Sequence, residues 1–210
     1  QFEEETNLRA MVVLDASKSM GWTGNAAVRL TKLEYAKRLV AAMVLVLLRQ
    51  RDATGLITFD ESVRAVLPPR TTAGRATAAE PALRRVMDQL QRRGLVIFVS
   101  DLLLDRDLAI KALRFLRHRG HQVLVLHLMD PSEMTLEGAT ESRYEDPETG
   151  QHVTLRPADW AGVYARTVEG VVHDWQLACR RHGIGYERVS TDLPFGLALR
   201  QALVRSAHVA

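Results

Sequence analysis

Val12-Val13-Leu14-Asp15-Ala16-Ser17-Lys18-Ser19-Met20 is an apolar run that ends abruptly in an acid and then places two hydroxyls at alternating positions. An apolar run of this length bounded by small polar residues reads as a strand covered on both faces, with Asp15 at its carboxyl edge. One carboxylate and two hydroxyls converging there would form part of an oxygen shell for a hard cation. Mg²⁺ takes such ligands in near-octahedral geometry and keeps waters in the remaining positions. Asp and Ser also cap turns and helix starts. The spacing alone therefore leaves two readings open, a metal-ligating loop and a turn-capping loop.

The rest of the chain narrows the class of protein. At 210 residues it has room for one domain with a substantial core, so a single domain over 1–210 is expected. A hydrophobic fraction of 47% and a charged fraction of 25% are ordinary for a globular protein. The formal charge of +3 comes from arginines interspersed with acids, a solvated mixed surface and not a nucleic-acid footprint. Cys179 is the only cysteine; it rules out an internal disulfide, fits a reducing, cytoplasmic setting and reads as a packed residue of a helix. The longest apolar stretch, Leu39 to Leu48, is too short to span a bilayer and reads as a buried helix. The chain opens Gln1-Phe2-Glu3 with no initiator methionine, so a fragment of a longer protein is expected, whose upstream anchor, if any, lies outside it.

Strand and helix patterns alternate along the chain. Leu8 to Asp15 is followed by a helix from Thr31 to Gln50, with Thr31 and Glu34 set for a capping box. Ala53 to Phe59 is a second strand, turned by Asp60-Glu61 into an antiparallel edge strand, Ser62 to Leu67, that Pro68-Pro69 is expected to stop. A helix from Thr77 to Arg92 precedes the strand Leu95 to Ser100, which ends in Asp101. Asp105 caps a helix from Arg106 to His118, Gly120 ends it, and Gln122 to Leu128 is the next strand. Residues 130–156 read as a surface hairpin insertion turning at Asp146 to Gly150, more a solvated excursion than a contact surface. A long helix from Pro157 to His182, a strand Gly183 to Val189 and a helix Pro194 to Arg205 complete the pattern. Such alternation implies a doubly wound, mostly parallel sheet with helices on both faces, and ligands bind at the carboxyl edge of such sheets. Two strands end there in an acid with serine close by, at Asp15 and at Asp101. That coincidence favours the metal reading.

Together these residues resemble a von Willebrand factor type A domain with a metal-ion-dependent adhesion site. The resemblance implies that Asp15, Ser17 and Ser19 form the family's D-x-S-x-S, that both hydroxyls coordinate Mg²⁺, and that Asp101 is the distal aspartate acting through water. It also calls for a threonine on a separate loop, for which Thr77 fits best, with Thr71 and Thr72 as competitors. More narrowly, Thr31-Lys32-Leu33-Glu34-Tyr35-Ala36, Asp52 to Asp60, Pro68-Pro69-Arg70 and Arg93 to Asp101 are similar to the bacterial DUF58 branch. Relatives there carry a longer segment where Thr71 to Ala76 is short.

The resemblance implies a module in which a partner's Asp or Glu completes the shell of Mg²⁺, with Mn²⁺ or Ca²⁺ as alternatives. It also implies a MoxR-type AAA+ ATPase as partner and an adaptor or co-chaperone role. Trp22, Arg70 and Leu102 to Leu104 are placed at the rim as selectivity residues. Two rival classes are a metal-dependent hydrolase and a scaffold whose metal site no longer functions. Against the hydrolase, the chain has no H-E-x-x-H, G-x-S-x-G or phosphate-binding glycine loop, and its seven histidines are scattered.

Overall fold

The computed structural model describes residues 9–70, 93–136, 140–146 and 149–208. The strands are β1 (Arg9–Asp15), β2 (Ala53–Phe59), β3 (Val63–Arg70), β4 (Leu95–Ser100), β5 (Gln122–Met129), β6 (Ser142–Glu145), β7 (His152–Leu155) and β8 (Gly185–Ser190). The helices are α1 (Lys32–Arg49), α2 (Arg106–His118), α3 (Pro157–Arg181) and α4 (Phe195–His208). Six strands form one sheet in the order β3-β2-β1-β4-β5-β8, and all neighbouring pairs are parallel except β2 with β3. The chain winds outward from β1 in both directions, so the strand order reverses between β1 and β4. β6 and β7 form a separate antiparallel pair, the hairpin read from the sequence.

The period of two in a strand divides the apolar runs between two cores. Ala10, Val12 and Leu14 of β1 join Ile97 and Val99 of β4 and Leu124 and Leu126 of β5 beneath α1 and α4. Met11, Val96, Val123 and Val125 face the other way, onto Ile110 and Leu113 of α2 and Trp175 and Cys179 of α3. Tyr35 fastens the first layer: its ring stacks on Phe195 at 4.7 Å and its hydroxyl donates to the Leu193 carbonyl at 2.8 Å. Cys179 is wholly buried, and that burial pushes its thiol up to about 12, which makes it a packing residue.

Two expectations need correcting. Pro68-Pro69 does not stop β3, which continues to Arg70. β3 is an edge strand, where proline is tolerated, and the pairing with β2 shifts register between Thr54 and Leu56 to pass the prolines. Thr31 does cap α1, its hydroxyl accepting from Glu34 N–H at 3.2 Å. The reciprocal half of the box is absent: the Glu34 carboxylate takes Lys37 at 2.7 Å instead. The expected helix Thr77 to Arg92 lies outside the described residues.

Candidate metal centre at the strand reversal

Asp15 reaches the rim because β1 is buried on both faces up to its last residue, and its own side chain is almost fully buried. The chain turns at once. Ala16 N–H donates to the Phe59 carbonyl at 2.7 Å, a short 3-10 turn spans Ser19–Gly21, and wholly buried Met20 pins that turn to the core. The register pairs Leu14 with Val99, which sets Asp15 beside Ser100 on β4.

Three contacts hold the donor set. Ser17 N–H donates to Asp15 Oδ1 at 2.9 Å, and Ser100 Oγ donates to Asp15 Oδ2 at 2.6 Å. Ser17 Oγ and Ser19 Oγ lie 3.1 Å apart. The two hydroxyls are hydrogen-bonded to one another, and their separation is also close to the roughly 3.0 Å between adjacent ligands of an octahedral shell with bonds near 2.1 Å. Among the described residues, no three His, Cys, Asp or Glu side chains converge as ligands. The donor set fits a divalent ion through its hydroxyls and through a carboxylate whose orientation is fixed by Ser100.

Asp101 follows β4 and is buried. One oxygen, Oδ1, accepts from Leu103 N–H at 3.2 Å. The other, Oδ2, has no hydrogen bond and lies 2.8 Å from Lys32 Nζ, an ion pair whose alignment falls short of one. Leu102 takes a left-handed backbone, φ 58°, with its N–H donated to Ser100 Oγ at 2.9 Å. For a leucine this conformation costs about 1–2 kcal/mol, and its presence beside the candidate ligands marks a stretch held in place by its surroundings.

Several residues of this cluster carry no sequence signal. Lys32, the first residue of α1, is 1% exposed and also pairs with Glu133. Glu133 ends a 3-10 turn, Pro131–Glu133, directly after β5, and its other oxygen accepts from Asp130 N–H at 2.8 Å. Burial raises the Glu133 carboxyl above its ordinary range, against the pull of Lys32. Asp130 is fully buried and accepts from Ser132 N–H, Thr23 Oγ1 and Arg29. Burial alone would raise its pKa, but hydrogen bonds from Ser132, Thr23 and the Gly24 backbone hold it below the ordinary carboxylate range. Asp130 thereby ties the loop after β1 to the end of β5. His127, deep in β5, bonds Tyr186 through Nδ1 at 2.7 Å, and burial drives it down to about 4 despite the Asp101 backbone and charge.

Asp15, Ser17, Ser19 and Asp101 thus share the carboxyl rim at the reversal between β1 and β4. Thr77, Thr71 and Thr72 lie outside the described residues. Trp22 and Leu103 are exposed at the rim, whereas Leu102 is buried beneath it. Arg70 is not at this rim: it pairs with Thr54, near the start of β2, while Phe59 at the other end of that strand is level with Asp15. Five residues of strand separate the two ends by roughly 16 Å. The rim holds instead a hollow of about 890 Å³ that reaches from Ser19 over Leu102 to Leu104 to Val171 and Trp175.

Solved structures match over nearly the whole chain, two of them with TM-scores above 0.5. An aerotolerance-related membrane protein from Bacteroides fragilis, carrying multiple mutations to serines, is 17% identical with a TM-score of 0.58, covering 96% of this chain and 99% of that one. BatB from Bacteroides thetaiotaomicron, described as a conserved hypothetical protein, is 20% identical with a TM-score of 0.55 over the same shares. The VWA domain of SpRpn10 aligns with 58% of this chain and 75% of its own, at 18% identity and a TM-score of 0.42. No curated protein matches. Among the described residues no helix is long and apolar enough to cross a membrane. The family model described as "Protein of unknown function DUF58" matches residues 1–163, and the chain belongs to that family.

Proposed function

We propose that this chain is a von Willebrand factor type A module that binds a protein partner through a divalent cation, Mg²⁺ in the first instance. Asp15, Ser17 and Ser19 would hold the ion, Asp101 would act on it through water, and Thr77 would supply the further arm. The bound ion supplies an electrophilic position that a partner's Asp or Glu can fill. With neutral hydroxyls supplying two of the ligands, the site keeps enough positive charge to reward that incoming carboxylate. Ser100 keeps the Asp15 carboxylate oriented, and the hollow beside Ser19 accepts an apolar residue next to the partner's acid. The observation that carries this reading is the pair of serine hydroxyls 3.1 Å apart, next to a buried carboxylate clamped from two sides.

The partner we propose is a MoxR-type AAA+ ATPase, with this chain as cytoplasmic adaptor or co-chaperone and not as a hydrolase. Family likeness supports that choice. Two measurements test the reading. Thermal melting of wild type should rise with Mg²⁺, by about 2.7 kcal/mol of stability at a hundredfold excess over the dissociation constant. Asp15→Ala should melt at one temperature with and without the ion. A pull-down from wild type in Mg²⁺ should recover the ATPase, and a Ser17→Ala, Ser19→Ala variant should not. Equal Mg²⁺ shifts for wild type and Asp15→Ala would overturn the metal site; equal recovery by both baits would overturn the metal-bridged contact.

A further inference from the structure

Lys32 stands out among the charged side chains. An ammonium that is 1% exposed carries a large desolvation cost unless acids surround it. Its acids come from two strand ends, Asp101 after β4 and Glu133 after β5, with the Trp22 ring 5.8 Å away. Asp101 is also the residue assigned to the metal, and its Oδ2 has no hydrogen bond beyond this ion pair. Asp15, Asp101 and Glu133 with Lys32 carry a formal charge of minus two, which one divalent ion would neutralise.

We propose that Lys32 is a resident cation of the site that competes with a divalent ion for Asp101 and, when the ion binds, withdraws to Glu133. The inference rests on the metal-site reading and sharpens it. Lys32 holds Asp101 in position in the metal-free protein, sets the threshold concentration of the ion, and passes its arrival to the Asp130 turn through Glu133. Glu133 is the ammonium's second station, so the pair works as a unit.

The test is calorimetric titration of Mg²⁺ alone into wild type, Lys32→Met, Glu133→Gln, the Lys32→Met, Glu133→Gln double variant and Asp15→Ala, with circular dichroism reporting the fold. Lys32→Met should melt lower without the ion yet bind it at least about tenfold tighter, since the competitor and its repulsion are gone. Glu133→Gln should bind it about tenfold more weakly, because the ammonium then stays on Asp101. Should Lys32→Met fail to fold, the double variant removes both buried charges together and should still bind more tightly than wild type. In an Asp101→Asn background the gain from Lys32→Met should shrink below about threefold, because competition requires that carboxylate. An undiminished gain there would mean simple charge repulsion and would overturn the competition. Asp15-dependent binding by wild type, with no tightening in either Lys32 variant, would overturn this inference alone. No binding by wild type at millimolar Mg²⁺ would overturn the metal reading and this inference with it.

Discussion

Ser100 carries two loads with one hydroxyl. It donates to Asp15 Oδ2 and accepts from Leu102 N–H, both in buried surroundings, so Ser100→Ala leaves a carboxylate oxygen and a backbone donor short of partners at once. The expected cost is about 1–3 kcal/mol in urea unfolding, with weaker Mg²⁺ binding in the same variant because Asp15 loses its orientation. Nothing in the sequence distinguishes this serine from a turn cap beside Asp101. Lys32 was equally hidden, for a lysine at the first position of a helix ordinarily lies in water. The abutment of α1 on the ends of β4 and β5, with Trp22 alongside, buries it. Asp15, Ser17 and Ser19 were legible because their spacing encodes their convergence within one turn of chain. Glu133 and Asp130 come more than a hundred residues later and show no such pattern.

At the scale of the element, the continuous apolar runs of β1, β4 and β5 could be read directly, since a strand buried on both faces tolerates little else. The edge was harder to read, because the ladder there makes demands on only one side. Gly55 shows what the edge does require: a Cβ at that position would stand 2.8 Å from the Leu67 carbonyl oxygen and 2.9 Å from Pro69 N, both backbone atoms. Gly55→Ala should therefore cost about 1–3 kcal/mol and speed amide exchange along β3. The interior of β5 gives a pH dependence. His127 is folded in as a neutral ring with a pKa of about 4, below its ordinary 6.5. The unfolded chain binds the extra proton, so this stability is fully present above pH 6.5 and lost as pH falls towards 4. The loss should approach 3 kcal/mol, on the order of what the shift implies, in metal-free chemical denaturation. His127→Phe should flatten that slope.

For the whole molecule, the doubly wound topology was legible from the alternation of strands and helices, and the reversal between β1 and β4 explains why two acid-ended strands meet. The two faces are secured alike. Buried apolar layers dominate both, while the ion pairs Arg106 with Asp174 across α2 and α3, and Arg205 with Glu187 across α4 and β8, are solvated and worth less than about 1 kcal/mol each. Added salt should accordingly move the melting temperature little. The distance in sequence between Asp15 and its clamp Ser100 has a further bearing, on time. The chain leaves the ribosome from its amino end, so Asp15, Ser17 and Ser19 are synthesised long before Ser100, Asp101 and Glu133 exist. During that interval the serine loop has neither the hydroxyl that steadies its acid nor the resident ammonium's partners. On the proposed metal reading, a nascent chain should show no magnesium binding until β5 and the turn after it have emerged.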